Sequence, residues 1–281
     1  MKDISCKTIN YLTIDFEEWY QGLTSTSLMI DRWGSFESRI ELQTNWLLET
    51  LSESNTKATF FIVGEIARTH PQVVRKIAGE GHRIGLHGNL HQRVDSMSRE
   101  EFRLDLEQSR NAVESAGGVQ VDGFRAPCFS FSENTGWAWE ELARLGMTFD
   151  SSVFPMRGWN YGISGAPTES YRVSTESGCI QEYPMSTVKI LGRNLPFSGG
   201  FYFRSLPYCI VKEITRRKNR KGESVMFYFH PWEFDPSHPI AYSTTPRERL
   251  SHYGFLSGAR KKFRRLLSDF NLMPLHDRLS P

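Results

Sequence analysis

Residues 82–94 read HRIGLHGNLHQRV and set His87 and His91 four positions apart, just after the short apolar run Ile84, Gly85, Leu86. Two imidazoles at that spacing lie on one side of the chain if the segment makes a helical turn, and both can then reach one ion. A carboxylate added to them makes a three-ligand set for a divalent cation with a position left open for water. Asp15 and Glu17 stand in D-x-E spacing, which points both side chains the same way along an extended strand. Glu17 is the expected ligand, with Glu18 as the alternative, and Asp15 is left free to act as general base. The ion would polarise a carbonyl and lower the pKa of water to about 7. His230 is placed to protonate a leaving amine. Arg125 would pair with Asp15 and hold it ionised. Asp150 would bond the other ring nitrogen of His230, orienting it and raising its pKa; the simpler alternative is that Asp150 caps a turn with Ser151 and Ser152.

The elements that must position these groups are short apolar runs alternating with helical patterns. YLTID (11–15), ATFFIVG (58–64), RIGLH (83–87), VQVDGFRAP (119–127), MTFDSSVF (147–154) and SVMFYFHPWEF (224–234) read as strands. Helical spacing covers 39–53, 70–82, 98–116, 134–146 and 256–270. Ser98 and Glu101 form a capping box, and Pro71 and the glycines after 78 sit at the expected start and end of their helix. Residues around 154–173 and 196–208 read as long loops. Repeated strand–helix units imply parallel strands, and an irregular or incomplete barrel is favoured over an open doubly wound sheet. In a barrel the functional residues gather at the C-terminal ends of strands. Asp15 with Glu17, His87 with His91, Arg125, Asp150 and His230 all fall at such ends, which solvation alone does not explain. No Pro/Gly/Ser linker divides the chain, so residues 1–281 are expected to form a single domain, with a motif core at about 10–235 and a helical extension at about 236–281.

Bulk properties narrow the function. Lys plus Arg number 34 against 32 Asp plus Glu, a net charge of +2, which excludes nucleic-acid binding by the molecule as a whole. The cations do cluster in RRKNRKG (216–222) and ARKKFRRLL (259–267). These are either solvated helix faces or, for the C-terminal segment, a peripheral contact with an anionic membrane. Cys6, Cys128, Cys179 and Cys209 are scattered and make no C-x-x-C pair, as in a reducing compartment. The first residues lack an apolar signal-peptide core and no run of about 18 apolar residues occurs, so a cytoplasmic location is expected. Aromatic residues reach 13%, which suits a deep core and also a groove where rings stack on sugars. His70, His82, His238, His252 and His276 are expected to be structural.

Taken together and in this order, TIDFEE, HGNLH, RAP, FDSS and YFHPWE resemble the motifs of the polysaccharide deacetylases, carbohydrate esterase family 4 with NodB homology. The resemblance spans roughly residues 10–235. ATFFIVGEIA, FRAPCFSF, FDSSVFP, LGRNLPFSGGFYFRSLPY, FYFHPWEFDP and HYGFLSGARKKFRRLL are similar to one branch, the exosortase-associated deacetylases of exopolysaccharide loci. The resemblance implies a distorted (β/α)7-type barrel, a divalent metal, most often Zn2+, and hydrolysis of the N-acetyl group of an amino sugar. The substrate would be a glycan or its lipid- or nucleotide-linked precursor. It also implies an oxyanion site at the backbone N–H of Cys128. Phe129, Trp232 and Tyr202 are the expected sugar contacts, although the run SGGFYFRSLPY that holds Tyr202 could instead plug the core. The chain departs from the family pattern in using D-x-E for paired aspartates, Leu86 before the first histidine and Cys128 after the proline. A sugar deformylase or allantoinase-like hydrolase and a non-catalytic glycan-binding protein are the competing readings.

Overall fold

The computed structural model describes residues 8–22, 24–156, 158, 161–241 and 245–275. Cys6 and His276 lie outside them. The chain packs as two compact units, one made of Met1–Ala58 with Phe197–Pro274, the other of Thr59–Pro196 with Leu275–Pro281. In chain order the strands are β1 (Asn10–Phe16), β2 (Thr59–Ile62), β3 (Arg83–Leu86), β4 (Gly123–Phe124), β5 (Phe149–Asp150), β6 (Tyr171–Ser174), β7 (Cys179–Glu182), β8 (Thr187–Ile190), β9 (Arg193–Pro196), β10 (Met226–Phe229) and β11 (Leu272–Met273).

In the first unit β1 runs parallel to β10, from Tyr11↔Met226 to Ile14↔Phe229, and parallel to β11 through Asn10↔Leu272. Every residue of β1 and β10 is buried, as expected of parallel strands covered on both faces. Thr13 is tolerated there because its hydroxyl donates to the carbonyl of Phe227 at 3.1 Å. The helix Ile40–Glu53 buries Ile40, Leu47, Leu48 and Leu51. Its first amides are satisfied by Glu18, whose carboxylate accepts from Ser38 Oγ and from the N–H of Arg39 and Ile40. Burial pushes the Glu18 carboxyl up to about 7, against the pull of those hydrogen bonds.

The last helix, Ala259–Asp269, buries Phe263, Leu266 and Leu267. Several cations of its basic run are engaged within the protein. Lys262 Nζ donates to the carbonyls of Arg204 and Leu206, closing the C-terminal end of the helix Gly200–Ser205. Arg260 donates to the Phe234 carbonyl and lies over the Trp46 ring at 4.7 Å, and Arg265 lies over Tyr208 at 4.7 Å. Much of the charge that suggested a membrane contact at 259–267 therefore serves packing. Among the described residues no helix is long and apolar enough to cross a membrane.

In the second unit β2, β3, β4, β5 and β7 pair in parallel in that order, and β6 returns antiparallel to β7. The helix Arg99–Gly117 begins with the expected capping box of Ser98 and Glu101 and ends at Gly118 in the left-handed region, φ 67°. β4 and β5 are far shorter than the runs 119–127 and 147–154 that announce them. The reason is local. The Phe149 ring packs on Gly123, where an added Cβ would come within 1.9 Å of it. Beyond Phe124 and Asp150 the chain leaves the ladder to build the loops that carry Arg125 and Ser151. Of the loops expected at 154–173 and 196–208, the first runs into β6 and the second holds the helix Gly200–Ser205; β7 to β9 lie between them, with β8 and β9 forming a separate two-stranded sheet.

Candidate active site

The parallel register of β1 with β10 brings two strand ends together in the first unit. Ile14 is opposite Phe229, so Asp15 emerges beside His230. His230 Nε2 lies 3.9 Å from Asp15 Oδ2 and 3.8 Å from Glu17 Oε1. Its Nδ1 lies 2.8 Å from Glu233 Oε1, and the same oxygen accepts the backbone N–H of His230 at 3.0 Å. An ionised carboxylate only accepts, so Nδ1 carries the proton and Nε2 is the working nitrogen. Burial alone would lower the His230 pKa. The charge of Glu17, the hydrogen bond and charge of Glu233, and the charge of Asp15 outweigh it and lift the ring to about 9. The imidazole is therefore protonated at neutral pH.

Glu233 is fixed from behind. Its Oε2 forms an ion pair with Arg204 Nε at 2.7 Å, with both side chains essentially out of solvent. Arg204 in turn donates to the carbonyls of Ser251 at 2.6 Å and His252 at 3.1 Å, and to that of Gly254. Trp232 Nε1 donates to Glu17 Oε1 at 3.1 Å and so holds that carboxylate.

Two expectations need correction here. Asp150 was expected at the second nitrogen of His230, but Glu233 occupies it; three residues on, past Pro231, it closes the short turn Pro231–Phe234 back onto His230. Trp232 was expected to stack on sugar, but His230 stacks on its ring at 4.8 Å and His252 at 3.9 Å. With those rings against it and 5% of its surface exposed, the indole is a structural support and has no free face for a ligand.

In the second unit His87 and His91 follow β3, and their rings sit 5.0 Å apart between centroids. No helical turn brings them together. Gly88 at φ 71° and His91 at φ 50° fold the loop back on itself, a conformation disfavoured for a non-glycine residue and characteristic of functional sites. Surrounding bonds hold it: the Asp105 carboxylate accepts the Asn89 N–H, and the Gly88 carbonyl accepts from Gly64 N and from Ser109 Oγ. Burial lifts the Asp105 carboxyl to about 6.

His87 Nδ1 donates to the Arg125 carbonyl at 2.8 Å, because a carbonyl can only accept. That fixes the tautomer with the lone pair on Nε2, the form that binds a metal. His87 and His91, both buried, are two side chains of this unit that could ligate a metal ion. One carboxylate and two imidazoles suit Zn2+ or a similar divalent cation. Glu18, the alternative carboxylate, is committed to its helix end.

The remaining predicted residues organise the loop after β4. Arg125 is fully buried, donates to the Ser151 carbonyl at 3.0 Å and to Ser151 Oγ at 2.7 Å, and lies over Phe61 at 4.4 Å. Asp150 accepts from Trp139 Nε1 and Ser152 Oγ, and Ser152 Oγ accepts the Ala126 N–H at 2.8 Å. Asp150 thus anchors the R-A-P loop. Burial raises both Asp150 and its neighbour Glu182, Glu182 well above the usual carboxylate range, where the charge of Asp150 adds to the effect. Cys128 and Phe129 both adopt left-handed backbone, φ 56° and 49°. Phe129 is 7% exposed, with its ring edge-to-face against Phe154. Tyr202 is half-buried on the helix Gly200–Ser205.

The polysaccharide deacetylase family model matches residues 33–149. Over those residues the chain is similar to the polysaccharide deacetylases. A second model, a domain of unknown function (DUF3473), matches residues 151–279. A peptidoglycan-N-acetylglucosamine deacetylase of Bacillus cereus is 33% identical over 96 residues, 34% of this chain and 35% of that protein. A chitooligosaccharide deacetylase of Rhizobium leguminosarum bv. trifolii is 32% identical over 73 residues, 26% of this chain and 34% of that protein. The chain thus spans about a third of the length of these two relatives. A solved structure from Mycobacterium smegmatis, assigned to the polysaccharide deacetylases, aligns with a TM-score of 0.59 at 20% identity over 95% of this chain and 87% of that one. It shows that the chain shares the α/β fold of that structure, as the strand–helix pattern implies.

Sequence reasoning gave no role to Glu233 or Arg204. The signal for Glu233 was present, since an acid three residues after His230 with Pro231 between reads as a capping box. Arg204 carried none. Its partners are backbone carbonyls some 50 residues further along the chain.

Glu233→Gln tests the support of the histidine. The amide keeps the shape and can still accept from Nδ1, but it carries no charge to hold the imidazolium. The His230 pKa is expected to fall. A general acid works only below its pKa, so the alkaline limb of the pH–rate profile should move to lower pH. An unmoved limb would show that Glu233 does not tune this histidine.

Proposed function

We propose that this protein is a metal-dependent deacetylase that hydrolyses the N-acetyl group of an amino sugar in a bacterial polysaccharide or its lipid- or nucleotide-linked precursor. The observation that carries the reading is the geometry of His230, hydrogen-bonded through Nδ1 to Glu233 and with its Nε2 beside the carboxylates of Asp15 and Glu17. An acid and a base on neighbouring strand ends are what amide hydrolysis requires. Glu17, His87 and His91 would hold the metal, most suitably Zn2+, which when bound polarises the acetyl carbonyl and acidifies water.

The chain's own residues do the rest. Asp15 takes a proton from the attacking water, with Arg125 as its assigned partner. The N–H of Cys128 donates to the oxygen that becomes negatively charged. His230 Nε2 gives its proton to the departing nitrogen, so the sugar leaves as an amine. Asp150, through Ser152, keeps the Cys128 loop in place. Tyr202 and Phe129 are assigned to the sugar. Since these residues come from both units, the reading treats the whole chain as one catalytic domain.

The similarity of LGRNLPFSGGFYFRSLPY and HYGFLSGARKKFRRLL to exosortase-associated deacetylases favours an exopolysaccharide as the glycan. The deciding experiment is metal analysis of the purified protein joined to a product screen over N-acetylated oligosaccharides and nucleotide sugars. Acetate release is expected. Formate from N-formyl sugars in preference to acetate would point to the deformylase reading, and glycan binding without turnover at any metal loading would point to a binding protein.

A further inference from the structure

The β8–β9 hairpin breaks two rules at one residue. Its strands are joined by Leu191 and Gly192, both at positive φ, 48° and 80°. That turn geometry favours Asn or Asp followed by Gly. A leucine is strained there and gains no packing in exchange, because it is 97% exposed. When a residue is wrong both for its backbone and for its surroundings, a functional reason is the first to seek.

The rest of the hairpin agrees. Pairing of Val188 with Leu195 and of Ile190 with Arg193 puts these four on one face. Ile190 is 47% and Leu195 42% exposed. Lys189 and Arg193 are exposed as well. From Tyr183 to Ser198 there is no Asp or Glu. The adjoining stretch Ser151–Thr168 has none either, and Asn194 Nδ2 ties the hairpin to it through the Pro155 carbonyl at 2.8 Å. A two-stranded ribbon is marginal in water by itself, yet this one directs its apolar side chains outward. An apolar tip bordered by cations and free of acids is the pattern of a segment that enters an anionic interface. A second copy of the chain is a poorer occupant, since three apolar side chains fall well short of the ~800 Å² each partner of a stable dimer buries.

We propose that the hairpin Thr187–Pro196 docks this protein on an anionic lipid bilayer, with Leu191 and Ile190 entering the acyl boundary and Lys189 and Arg193 meeting lipid phosphates. The proposal does not rest on the deacetylase chemistry. Its test is flotation of the full chain with phosphatidylcholine vesicles, with and without phosphatidylglycerol. The wild type should float with the mixed vesicles and less with pure phosphatidylcholine. Leu191→Asn, which supplies the residue the turn prefers, should lower vesicle binding by about tenfold and leave the melting temperature unchanged or higher. Lys189→Glu combined with Arg193→Glu should remove the preference for phosphatidylglycerol. Absence of flotation, or a Leu191→Asn protein that floats like the wild type, would overturn the proposal. So would a concentration-dependent dimer in sedimentation velocity that Leu191→Asn abolishes, which would assign the face to a second copy.

Discussion

His230→Ala is expected to cut acetate release by about 10²- to 10⁴-fold, the usual contribution of a positioned acid or base. An amide nitrogen cannot depart as an anion, and the ring that stands near 9 carries the proton it needs at neutral pH. Asp15→Asn should cost as much, because an amide cannot take the proton of the attacking water. The two losses have different chemistry, which a change of substrate separates. An aryl acetate has a leaving group that needs no proton. With it, His230→Ala should recover most of its activity while Asp15→Asn remains impaired. Equal losses on both substrates would show that His230 is not the acid.

The second large effect is expected of His87→Ala. Its Nε2 is the lone pair that the bond from Nδ1 to the Arg125 carbonyl points outward. Without it the donor set falls from three to two, and a catalytic site with two protein ligands holds a divalent ion weakly. The purified variant should contain little metal where the wild type holds about one ion per chain, and activity should fall by more than about 10³-fold. Chelation should inactivate the wild type and lower its melting temperature, because an ion bound only to the folded state stabilises it by mass action. Added Zn2+ should reverse both effects in the wild type and neither in the variant. Full metal content in His87→Ala would remove this residue from the ligand set. Metal loading has a further effect on His230: a cation on Glu17 would offset that carboxylate's charge, leaving Glu233 as the main support of the protonated ring.

Much of the site was legible because its residues stand at strand ends, and strand ends can be read from short apolar runs. TIDFEE, RIGLHGNLH and YFHPWE each announce a buried strand followed by ionisable groups, and β1, β3 and β10 deliver them there. What could not be read was which groups meet. Asp150 looked like the partner of His230 because both end strands, yet it bonds Trp139 and Ser152, and Glu233 reaches the imidazole through a turn of only three residues. The helical turn expected at His87 and His91 failed for a different reason. A four-residue spacing is also met by a loop with two left-handed residues, and Gly88 was the only visible sign of it. Residues 155–196 were opaque because β6, β8 and β9 lie partly exposed, with Tyr171–Ser174 alternating half-buried and exposed, so no continuous apolar run marks them. Glu182 in β7 is a fully buried carboxyl beside Asp150, a neighbour nothing in its sequence surroundings announces.

Arg204 holds the carboxylate behind His230 from one side and the carbonyls of Ser251, His252 and Gly254 from the other. Anyone trimming the gene for expression would be tempted to stop soon after the last recognisable motif, near Pro236. Such a shortened product would retain every signature residue and still leave the guanidinium without its anchors, and with it the Glu233 carboxylate that holds the His230 ring. The tail is part of the scaffold behind His230, and deleting it should look like a defect at that residue.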